Sequence, residues 1–71
     1  MHNDHLFDEL ARIEREVVRG ERQMAEQEGL LVSLKNQNKD PQQVLSVLEV
    51  LRVKQHALQQ DRARILSLLQ P

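Results

Sequence analysis

Apolar residues return every three or four positions along two stretches of the chain, and the one strong break between them is Asn38-Lys39-Asp40-Pro41. The first stretch carries Leu6, Leu10, Ile13, Val17, Gly20, Met24, Gln27, Leu31 and Leu34, a 4-3-4-3 spacing that keeps one side of a helix facing one way. The second carries Val44, Leu48, Leu51, Gln55, Leu58, Arg62, Ile65 and Leu69 at the same spacing. Strict alternation, which a half-buried strand needs, is nowhere sustained. With Phe7 as its one aromatic residue, the chain has little to build a sheet from. The pattern predicts an all-α fold, an antiparallel two-helix hairpin filling a single domain over residues 1–71, with helix 1 over about 4–37 and helix 2 over about 41–69.

The ends of these helices carry their own signals. Asn3 or Asp4 can accept hydrogen bonds from the free amides of the first turn, while Asp8 and Glu9 place negative charge near the positive end of the dipole. Asn36 and Asn38 tolerate the left-handed conformation that ends many helices, and the residue before Pro41 avoids helical angles. Asp40 then caps, Pro41 takes the first helical position, and Gln43 sits three residues after the cap as in a capping box. So short a connection makes the helices antiparallel neighbours, with facing residue numbers that total about 80. Leu31 is then expected near Leu48, Met24 near Gln55, Ile13 near Ile65 and Leu10 near Leu69. Gly20 falls on the core stripe, where a large residue such as Leu58 can approach, whereas Gly29 falls on the opposite face with no packing reason in view.

Composition narrows the class. The chain has 71 residues and no cysteine, so it lacks disulfides and thiolate metal sites, and a lone hairpin of this size is marginal without a metal or a second copy. Its longest apolar runs fall far short of the roughly 20 residues that span a bilayer. The start, Met1-His2-Asn3-Asp4-His5, lacks the basic-then-apolar pattern of an export signal. A soluble, cytoplasmic protein without a membrane partner is expected. The net charge of -1 conceals a division: residues 1–34 hold four arginines against eight carboxylates, and residues 35–71 hold six basic residues against three acidic ones. Opposite signs favour an acidic helix beside a basic one, within a chain or between chains.

Candidate chemistry is sparse. His2 and His5 lie three apart near Asp4 and Asp8, a spacing that can chelate a metal from one helical turn, but surface placement is the simpler reading. His56 is solitary, and Glu14 with Glu16 or Glu26 with Glu28 lie two apart and point to different sides of a helix. No phosphate loop or nucleophile–base motif is present. No cofactor and no metal are expected, and the protein is not expected to be an enzyme. Polar residues on the stripe, Gln27, Gln55 and Arg62, are read as fixing register and association state, Arg62 with its charge reaching Glu14, Glu21 or solvent. A nucleic-acid-binding hairpin using Lys35, Lys39, Arg52, Lys54, Arg62 and Arg64 is the alternative, opposed by the missing aromatics and by Glu49 and Asp61 among those positions.

The run Gly20-Glu21-Arg22-Gln23-Met24-Ala25-Glu26-Gln27, then Leu30-Leu31-Val32, Leu34, Asp40, Leu45, Leu48-Glu49, Leu51, Gln55-His56, Asp61-Arg62 and Arg64-Ile65-Leu66, resembles a family of short uncharacterised helical-hairpin proteins from soil and plant-associated bacteria. The resemblance covers roughly residues 10 to 69. Gln23 stands where that family commonly has histidine, and Asn38-Lys39-Asp40-Pro41 where a glycine-containing turn is usual. It implies a helical hairpin and carries no activity with it.

The apolar content exceeds what one seam can hide. The expected hairpin core is Leu10, Ile13, Val17, Met24, Leu31, Leu34, Val44, Leu48, Leu51, Leu58, Ile65 and Leu69, with Leu31, Leu34, Val44, Leu48 and Leu51 forming its tip. Leu30, Val32, Leu45, Val47 and Val50 are left over near the bend, and Phe7, Leu66 and Leu68 more weakly at the open end. These five bend residues are the expected dimer interface of a homodimeric four-helix bundle, a second helical protein being the other candidate partner.

Overall fold

In the computed structural model, which describes residues 4–70, the chain forms two helices, α1 (Asp4–Asn36) and α2 (Gln42–Leu69), and no strand among the described residues. The bend between them is built by Asn38. Its φ of 56° is left-handed, a conformation that asparagine tolerates better than most residues. With Asn38 turned this way, the Lys39 amide donates back to the Leu34 carbonyl at 2.9 Å and the Asn38 amide to the Lys35 carbonyl at 3.1 Å. Those crossed bonds are a Schellman ending, which satisfies carbonyls that the last turn of α1 would otherwise leave unpaired.

Two residues later α2 starts. The Asp40 carboxylate accepts from the Gln42 amide at 3.0 Å, and the Pro41 carbonyl accepts from the Leu45 amide at 3.0 Å. Pro41 is therefore the N-cap and not the first helical position expected for it, and the Asp40 carboxylate satisfies a free first-turn amide from just outside the helix. The reciprocal bond from Gln43, which a capping box requires, is not made.

The helices pack along the expected stripes. All nine stripe positions of α1 and all eight of α2 are buried or half-buried, and among the other described residues only Glu9, Glu16, Pro41 and Leu66 are not exposed. Ile13, Val17, Leu58 and Ile65 form a buried cluster toward the open end, supported by Leu6, Leu10 and Leu69. Toward the bend Val44 and Leu48 are buried. The rest of the expected tip core, Leu31, Leu34 and Leu51, is only half-buried, as is Met24. One facing helix covers one side of each of these residues and leaves the other to solvent.

Between the two apolar stretches lies a polar step. The space above Gly20 is filled by Gln55 and not by Leu58: a Cβ at position 20 would lie 2.6 Å from the Gln55 side-chain carbonyl carbon and closer still to its oxygen. The Gln55 amide donates to the Val17 carbonyl at 3.0 Å. In a helix the carbonyl of one residue lies beside the residue three places on, so the bare backbone at Gly20 is what opens Val17 to a side chain from α2.

The result is a rod of 56 × 14 × 14 Å. Its radius of gyration is 16.4 Å, against about 11 Å for a compact globule of this length.

Candidate association interface

A helix turns about 100° per residue, so positions just before and just after the seam fall on two opposite flanks of the hairpin. The residues that line two surface hollows identify which positions share a flank. Glu14, Val17, Val18 and Glu21 of α1 border one surface hollow with Gln59 and Arg62 of α2. Gln27, Leu30 and Leu34 border another with Gln43, Val44 and Val47.

The five expected interface residues therefore divide. Leu30, Val47 and Val50 belong to the second flank, and Leu30 and Val47 meet across its hollow. Val32 and Leu45 fall on the first. All five are exposed, at 38% for Val47 to 67% for Val50. No single flat contact can cover both sets.

Along the second flank the large apolar residues lie near the ends of the rod, Leu30, Val47 and Val50 near the bend and Leu68 at the open end, with Ala57 and the charged Arg12, Arg19, Glu26, Lys54, Asp61 and Arg64 exposed between them. The first flank is different. Ala11, Val18, Ala25 and Val32 recur on α1 at intervals of seven, beside Phe7, while α2 contributes Leu45, Ala63 and Leu66. Val18 is 55% and Val32 59% exposed. Ala11, Glu14, Arg15 and Val18 line a further shallow, open depression there, on α1 alone. Ala11, Val18 and Ala25 were not singled out by the stripe reading because they lie outside both seams, and their period of seven is the signal that finds them.

Ion pairs give the surface its charge pattern. Arg12 pairs with Glu9 and Glu16, Arg52 with Glu49 at 2.8 Å, and Arg64 with Asp61, each within one helix. Among the described residues the one that crosses between helices is Arg62 to Glu14, Nε to Oε1 at 3.2 Å. All are well exposed, so each contributes on the order of 0–1 kcal/mol. Three of the six basic positions considered for nucleic acid, Arg52, Arg62 and Arg64, thus have a carboxylate beside them. Glu21 and Glu28, on the first flank, form no ion pair among the described residues.

His5 and His56 are exposed, and His2 lies outside the described residues. Among the described residues no group of three or more His, Cys, Asp or Glu is placed to hold a metal ion, and no helix is long and apolar enough to cross a membrane. The described surface combines exposed apolar side chains with exposed ion pairs around them. No family model matches the chain, and no curated protein or solved structure matches it either.

Proposed function

We propose that this chain is a non-enzymatic interaction protein whose molecular activity is self-association, two hairpins sheltering one another in a four-helix bundle. The observation that carries this reading is the exposure of large apolar side chains. Phe7, Val18, Val32, Val50, Val53 and Leu68 are each more than half exposed, and Leu30, Leu45 and Val47 are exposed as well. On a chain this short they form flanks where a larger protein shows scattered single residues.

The size of the surface points the same way. The chain presents 5602 Å² of accessible surface, whereas a compact monomer of 8.3 kDa presents about 4,600 Å². A second hairpin laid alongside is the economical way to remove that excess, since antiparallel helix pairs stack into bundles with the packing they already use within the pair.

Sedimentation equilibrium of the purified chain tests the proposal. The expected mass is twice 8.3 kDa. A well-folded particle at the mass of one chain, melting cooperatively in dilute solution, overturns it.

A further inference from the structure

Resting on that self-association, we infer that the second copy docks on the first flank with both bends at the same end of the assembly, so that α1 of each hairpin lies antiparallel on α2 of the other.

Two features select the flank, and its size suits a partner. Its α1 carries an exposed apolar residue every seven positions from Ala11 to Val32, with Glu14, Glu21 and Glu28 beside that column, whereas the large exposed apolar residues of the second flank lie only near the two ends of the rod. A face of 56 × 14 Å is close to the roughly 800 Å² per partner that a stable interface buries. The hollow bordered by Ala11, Glu14, Arg15 and Val18 has the spacing i, i+3, i+4, i+7, the four-residue hole into which a knob from a facing helix fits.

Charge selects the orientation. Two flat hairpins can stack with two-fold symmetry about an axis running along the rod or across it. The axis across the rod sets α1 on the partner's α1 and opposes Glu14, Glu21 and Glu28 to the same row of acids, a like-charge juxtaposition that interfaces avoid. The axis along the rod sets α1 on α2 at equal heights above the bend. Val32 then lies level with the partner's Leu45 and Val18 with the partner's Gln59, the heights at which Leu30 and Val47, and Val18 and Gln59, share a hollow within one hairpin. Every neighbouring helix is antiparallel in both arrangements, so the helix dipoles are opposed favourably in either, and the row of acids is what separates them.

The chain has no cysteine, so one introduced thiol labels one place. The test combines a nitroxide at Lys39→Cys, at the bend, with the masses of two charge variants, Val18→Glu/Val32→Glu and Val47→Glu/Val50→Glu, helicity being checked by circular dichroism. Expected are a label separation of about 25 Å, set by helices 8–10 Å apart, loss of the dimer in the Val18/Val32 variant, and its retention in the Val47/Val50 variant. A separation near the 56 Å rod length, or a dimer lost only through Val47 and Val50, overturns this arrangement while leaving self-association standing. A monomeric mass for the unmutated chain removes both. The label distance needs no disruptive substitution, so misfolding of the Val18/Val32 variant does not shield the inference.

Discussion

Gly20 and Gly29 have the same chemistry and opposite surroundings, so the same substitution separates them. A mid-helix glycine costs about 1 kcal/mol against alanine. A Cβ at Gly29 meets nothing within 4 Å, so Gly29→Ala is expected to stabilise the fold by about that 1 kcal/mol in a denaturant titration. A Cβ at Gly20 displaces the Gln55 amide from its 3.0 Å bond to Val17, a loss of about 0.5–1.5 kcal/mol that offsets the helix gain. Gly20→Ala is therefore expected near zero, and combining it with Gln55→Ala should be non-additive in a double-mutant cycle. That Gly20 sits in the seam was legible from its place in the stripe. That Gln55 fills it was not, because register counting sets Gln55 opposite Met24 and says nothing of where an amide finds an acceptor. The facing backbone is uncovered at Gly20, and the side chain extends to reach it.

At the scale of the element, the bend was the most legible part of the chain. Helix ends fell within one or two residues of expectation, Asn36 against about 37 and Gln42 against about 41, because an asparagine that tolerates positive φ and an Asp-Pro start are local signals that need no tertiary knowledge. They also make the bend testable. Asn38→Ala places a β-carbon in a left-handed conformation and should cost about 1 kcal/mol, whereas Asn38→Gly should cost nothing. Asp40→Ala removes the acceptor of the Gln42 amide and should likewise cost about 1 kcal/mol. Thermal melts of the three variants against the parent check both numbers. The absent Gln43 bond shows the limit of the motif: Gln43 matches the capping-box spacing, yet it lines the hollow beside Leu30 and Val47.

For the whole molecule, the thin core decides the behaviour. Six large residues, Ile13, Val17, Val44, Leu48, Leu58 and Ile65, are buried in a rod 14 Å across. If copies shelter one another, the melting midpoint rises with protein concentration by mass action, and a midpoint constant over a hundredfold range, about 2.7 kcal/mol in linkage terms, contradicts self-association. The apolar surplus near the bend was visible in the sequence, but its distribution was not. Leu45, Val47 and Val50 lie within about two turns along the chain and read as one patch, although the helical rotation sends Leu45 to one side of the hairpin and Val47 and Val50 to the other. The continuous column on α1 was missed because alanine contributes little to a count of large apolar residues.

Pro41 carries one more consequence. Short links between helices invite domain exchange, in which two chains open and each merges its helices into one long straight rod. Straightening here would place Pro41 inside an uninterrupted helix, where its ring collides with the preceding turn and a backbone bond is lost at a cost of about 3 kcal/mol. Asn38 would also have to abandon its Schellman bonds. The exchanged form is disfavoured by the same two residues that make the turn, so under the proposed self-association copies of this chain would meet as finished, folded-over units and come apart again without unthreading.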